Sequence, residues 1–176
     1  MKDLAFYFFQ CVNDRIQAKA DIIEMYIVEN DKDDKLELLI RDNGQKFDIE
    51  LMKVENLRIM KNSPALYFLQ QNSKENKGSF RMLSHNQTGN LIEVHYPLKS
   101  KTRLRFGSVA VFLSMLFVTY PEIHFVYSQI SKKGELLFDS KQFKKALSDV
   151  NFEDSEFLSD FKTLIEAESA AIQDLA

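Results

Sequence analysis

Residues 36–42, Leu-Glu-Leu-Leu-Ile-Arg-Asp, constrain this chain more than any other stretch. Leu36, Leu38, Ile40 and Asp42 alternate, so a strand puts all four on one face. That face is apolar up to Asp42, and Asn43-Gly44 then breaks the strand. A carboxylate that ends a buried row is costly without a partner. Two readings follow. Asp42 caps the turn by accepting from its own backbone, or it is an acceptor for the N–H groups of a ligand.

The surrounding pattern supplies the other elements. Residues 3–18 read as a helix with an apolar stripe of Ala5, Phe8, Phe9, Val12 and Ile16. Its second, polar face carries Asp3, Tyr7, Gln10 and Asp14. Residues 22–28 form a strand that pairs with 36–42 across a charged turn. Residues 49–60 are helical, Pro64 starts a new helix, and 80–87 form a short helix ended by Gly89-Asn90. Strands follow at 91–95 and 102–106, with Thr102, Leu104 and Phe106 on one face. The run 109–120 is a buried helix. Residues 123–130 and 135–139 make a hairpin, Ser140 caps a helix, and the last helix aligns Phe157, Phe161, Leu164 and Ile165.

Composition narrows the function classes. The 176 residues suffice for a real core, with 45% hydrophobic and 28% charged residues, the range of soluble globular proteins. Fifteen Phe and no Trp imply a Phe-rich core. A net charge of −3 without a basic stripe argues against nucleic acid as a partner. The single cysteine, Cys11, fits a reducing compartment. The N-terminal apolar run is too short for a secretory signal, and 109–120 falls short of the roughly 20 residues of a membrane helix. A cytoplasmic protein with no membrane contact is expected.

This order of elements resembles the Bergerat-type ATP-binding fold of gyrase, mismatch-repair ATPases and sensor histidine kinases. The similarity is closer to small stand-alone bacterial ATP-binding proteins of that superfamily. Met1 to Ala5, Ile16, Ala18 and Ala20 match their start; Gly107-Ser108, Pro121-Glu122-Ile123, Phe125-Val126-Tyr127 and the stretch 134–139 match their tail. The resemblance implies a two-layer α/β (α+β) sandwich with a mixed, mostly antiparallel sheet and helices chiefly on one face. It places an ATP-binding-like domain at 1–106 and a helix-hairpin-helix extension at 107–176, packed on the same body.

The resemblance also implies site residues. Asp42 and Gly44 match the Asp-x-Gly motif whose carboxylate accepts from the adenine amino group. Thr102 matches a threonine that supports the same base contact from the start of the last strand. The magnesium-binding Asn of the first helix is replaced by Asp14, a hard oxygen ligand that could hold magnesium. The position that activates water is Gln10, which cannot act as a base. Lys46 replaces the second glycine of the motif. The phosphate lid is reduced to Lys77-Gly78, with Lys74 and Arg81 as further cations. The implied cofactors are an adenine nucleotide, ATP or ADP, with magnesium, or none.

His85, His95 and His124 fit no metal-ligand spacing, and His95 and His124 fall in strands, where a hydrogen-bonded structural role is expected. Three functions remain compatible. The chain is a degenerate binder of adenine nucleotides with little hydrolysis; or it is a non-catalytic interaction module for a protein partner, its old pocket filled by Lys46, Phe47 or Phe80; or it is a working ATPase or protein kinase with atypical phosphate contacts. In the second case Asp42 is expected to be paired internally, with Lys46 as the cation.

Overall fold

A computed structural model describes residues 2–47 and 62–173. In chain order these form α1 (Leu4–Gln17), β1 (Ile22–Asn30), β2 (Lys35–Asp42), α2 (Pro64–Glu75), β3 (Ser79–His85), β4 (Gly89–Pro97), α3 (Ala110–Thr119), β5 (His124–Ser131), β6 (Gly134–Asp139), α4 (Ser140–Ala146) and α5 (Ser155–Ile172). The helix expected over 49–60 lies outside the described residues.

The strands make one six-stranded sheet in the order β3-β4-β2-β1-β5-β6. Every neighbouring pair is antiparallel except β1–β5. The fold is an α/β sandwich of the α+β kind: the described helices form a second layer on one face. Alternation sets that face. Leu36, Leu38, Ile40 and Asp42 are all buried, and they stand opposite buried residues of β1, with Ile40 facing Met25 and Leu38 facing Ile27. The inner row of β4, Asn90, Ile92, Val94 and Tyr96, continues the same surface. Phe8, Phe9 and Val12 of α1 and Leu66 and Leu69 of α2 close the core over it.

Residues 80–87, expected as a helix, are strand β3 plus its turn. Phe80 and Met82 face Val94 and Ile92 on the inner side, and Gly89 at φ +78° turns the hairpin. Residues 102–106, expected as the last sheet strand, form no strand. Strand β4 already has β2 on one side and β3 on the other, so no edge is left for them. Their carbonyls instead receive the start of α1: Leu4 N–H donates to Arg105 O at 2.9 Å and Ala5 N–H to Phe106 O at 2.6 Å.

The tail joins the same sheet, since β5 runs parallel to β1 and needs the long connection that α3 provides. The phenylalanines gather here. Phe117 of α3 lies 5.7 Å from Phe138 of β6 and 5.6 Å from Phe161 of α5, ring centroid to centroid. Leu164, expected on the inward stripe of α5, is 53% exposed. Asp139, not Ser140, caps α4, accepting from Lys141 N at 3.0 Å and Gln142 N at 3.1 Å. Ser140 is buried and accepts from Phe125 N at 2.9 Å. Among the described residues, no helix is long and apolar enough to cross a membrane.

Candidate functional site

Asp42 ends the inner row of β2, and donors of the chain itself engage both of its carboxylate oxygens. Arg15 of α1 donates from Nε to Oδ2 at 2.8 Å and from Nη2 to Oδ1 at 3.0 Å. The Gly44 N–H reaches Oδ1 at 2.8 Å, and Asn90 Nδ2 reaches it at 2.9 Å. Three of these four donors converge on Oδ1 and one reaches Oδ2, so both oxygens of the carboxylate are engaged within the chain. The Asp42 side chain has 0% exposure and that of Arg15 has 7%.

The partners of Asp42 are themselves held. Arg15 Nη2 also donates to Gln45 O, and the guanidinium carbon lies 4.4 Å from the Phe47 ring centroid. Asn90 Nδ2 further reaches Gly44 O at 3.0 Å, and its Oδ1 accepts from Ser84 Oγ at 2.6 Å. Ser84 Oγ in turn accepts from Phe47 N at 2.9 Å. The result is a closed polar network under an aromatic cover.

Asn43 and Gly44 tie the network to the α1–β1 turn. Asn43 Oδ1 accepts from Asp21 N at 2.9 Å and Ile22 N at 3.0 Å. A Cβ on Gly44 would come within 2.8 Å of Ala18 O and 3.1 Å of Ala20 Cβ. The Asp-Asn-Gly motif thus serves as a clamp between two connections.

The cation on Asp42 is Arg15, where the sequence suggested Lys46. Lys46 is exposed at the rim. Arg15 carried a readable signal: it follows Phe8 and Val12 at helical spacing, so a charge stands on an apolar stripe. Asn90 carried the same signal as Asp42, a polar residue at the end of an inward row.

The remaining expected site residues fall into separate places. Asp14 is near this end of the molecule, where Ser63 Oγ donates to its Oδ2 and also caps α2 through Leu66 N at 3.2 Å. Burial raises the Asp14 carboxyl above its ordinary 3.8, while the Ser63 bond and the Arg15 charge pull it back down. Among the described residues, no group of three His, Cys, Asp or Glu side chains is arranged to hold a metal.

Thr102, Lys77 and Gly78 lie at the opposite end of the sheet. Asp42 pairs with Asn90 in the β2–β4 ladder, while Lys35 pairs with Pro97. That separation is about 23 Å of strand. Thr102 stands beyond Pro97, donating from Oγ1 to Asn76 Oδ1 at 2.8 Å. It cannot share a ligand contact with Asp42. Lys77-Gly78 closes α2 in a Schellman turn: Gly78 N donates to Ser73 O at 2.7 Å and Lys77 N to Lys74 O at 3.0 Å, with Lys77 at φ +61°. A Cβ on Gly78 would overlap His95 O at 1.9 Å, so this glycine serves close packing of helix end on sheet.

No protein-family model matches this chain, and no curated protein does. The geometry alone therefore bears on the nucleotide that the resemblance implies. The Asp42 side chain has 0% exposure, so an adenine amino group could reach it only if the residues that cover it moved aside. Asp14, the magnesium candidate, is engaged by Ser63, and Thr102 is a sheet-length away. As arranged, the described residues do not fit an adenine–magnesium site. The histidines hold structure: His124 Nε2 lies 3.0 Å from Asp139 Oδ1, and His95 Nδ1 lies 3.1 Å from Ser79 Oγ.

Proposed function

We propose that this chain is a non-catalytic protein of the histidine-kinase-like ATPase fold, acting in the cytoplasm as a regulatory or interaction module for a protein partner. Its affinity for adenine nucleotides is at most weak. The observation that carries this reading is the burial of Asp42 at 0% side-chain exposure with four donors of its own chain upon it. A ligand N–H on Asp42 gains about 1.5–3 kcal/mol as a charge-assisted bond. Freeing Asp42 for it breaks a buried, bidentate ion pair, at a cost of about 3–5 kcal/mol. Gln10 in the position of the water-activating acid removes the base that hydrolysis needs, a loss of about 10²–10⁴ in rate. The buried, unpaired Cys11 is compatible with a reducing compartment.

Titration calorimetry and thermal shift with AMP, ADP and ATP, each with and without magnesium, test the proposal. The expected result is no heat and no shift at ligand concentrations where a functional ATPase saturates. Tight, magnesium-dependent binding of ATP that Asp42→Ala abolishes would overturn it and restore the ATPase or kinase reading.

A further inference from the structure

The described helices cover one face of the sheet, and the other face is left uncovered among the described residues. One row across that face reads Arg81, Glu93, Leu39, Tyr26, Ser128 and Leu137. Five of these six residues are half-buried or exposed, and Ser128 alone is buried, at 3% exposure. Three large apolar side chains stand out on this face: Ile22 is 39% exposed on β1, Leu83 46% on β3 and Leu137 62% on β6. Strands β3 and β6 are the two edges of the sheet.

We propose that this face is the contact between two copies of the chain, stacked sheet on sheet about a two-fold axis that runs along the strands at the β1–β2 seam. Such an axis lays β2 of one copy over β1 of the other while keeping each row at its height. Arg41 and Glu24 are in register on those two strands. The half-turn therefore sets Arg41 against Glu24 of the second copy, twice, as an isologous contact requires. Within the chain, Arg41 makes none of the ion pairs found among the described residues. In the next row Leu39 meets Tyr26 of the second copy, so the centre is apolar and its flank is charge-complementary. At the margin, the aliphatic stem of Arg81 covers Leu137.

The area suffices. Six strands at about 4.8 Å spacing and about seven residues of length give about 650 Å² on each copy. The total of about 1,300 Å² falls within the range of specific interfaces. Face-to-face packing of sheets is an ordinary arrangement with about 10 Å between layers. This inference stands independently of the reading of Asp42.

Sedimentation equilibrium of the full chain tests it. The wild type is expected to be dimeric. Arg41→Glu and Glu24→Arg each place like charges across the interface and should weaken the dimer about tenfold or more. An equimolar mixture of the two single variants should recover dimer, because a heterodimer restores one contact and inverts the other. The mixture leaves the intrachain neighbours of each variant unchanged, so recovery cannot come from repaired folding. Circular dichroism confirms that both variants are folded. A wild type that stays monomeric at its highest soluble concentration overturns the proposal. So does a dimer that neither substitution weakens, or a mixture that fails to recover.

Discussion

Replacing Arg15 by methionine isolates the ion pair that closes the candidate site. The substitution keeps much of the stem and removes the guanidinium. It deletes the bonds to Asp42 at 2.8 and 3.0 Å and the bond to Gln45 O. Asp42 keeps Gly44 N and Asn90 Nδ2 but loses its only cationic partner among the ion pairs of the described residues, at 0% side-chain exposure. A carboxylate left unpaired in such a place costs about 3–5 kcal/mol. That is a large share of the about 5–15 kcal/mol that holds an ordinary domain together. Urea unfolding followed by circular dichroism measures it, with the midpoint falling and the slope unchanged. Asp42→Asn in the Arg15→Met background removes the stranded charge and should recover about 1–3 kcal/mol, a coupling that a double-mutant cycle reads directly. A loss below about 1 kcal/mol for Arg15→Met, or full additivity in the cycle, would refute the claim that this pair is buried and mutually required.

Further perturbations follow from the same geometry. Asp14 has its carboxyl raised by burial, so its charged form is penalised in the fold; stability is fully present below the ordinary 3.8 and declines as pH rises through the higher folded value. Asp14→Asn, which still accepts from Ser63 Oγ, should therefore be more stable than wild type at neutral pH and converge with it in acid, as thermal melts across pH will show. Gly44→Ala pushes a methyl against Ala18 O and Ala20 Cβ, and should cost about 1–3 kcal/mol in a denaturant titration. Lys77→Gly relieves a left-handed residue at the end of α2 and should raise stability by up to about 1 kcal/mol; a loss would mean that the Lys77 side chain is itself a stabilising contact.

Much of the fold was legible in local pattern. The alternation of 36–42, the helix over 3–18 and the hairpin of the tail each rest on residues close in sequence, so periodicity reads them. The run at 80–87 misled because Phe80 with Leu83 fits a helix while Phe80 with Met82 fits a strand. Over so few residues both periods match, and only pairing with β4 decides. Thr102 misled for a related reason. Thr102, Leu104 and Phe106 alternate as a strand should, but a strand needs a free edge, and β4 had none to offer.

The candidate site divides in the same way. That Asp42 needs a partner follows from the sequence alone, because alternation puts a carboxylate at the end of an apolar row and burial makes an unpaired charge costly. The turn reading holds for one local donor, since Gly44 N–H reaches Oδ1 at 2.8 Å, while the distant partners were decided by the tertiary structure. Arg15 is 27 residues away and Asn90 is 48 residues away. The sequence held three kinds of candidate for Asp42: its own turn, Lys46 close by, and a ligand. Packing α1 across the end of β2 brought Arg15 to the carboxylate and left Lys46 at the rim. Local patterning fixes which groups are buried, since the period of a strand or helix assigns faces. Long-range packing alone fixes which buried groups meet, since that depends on how the elements cross.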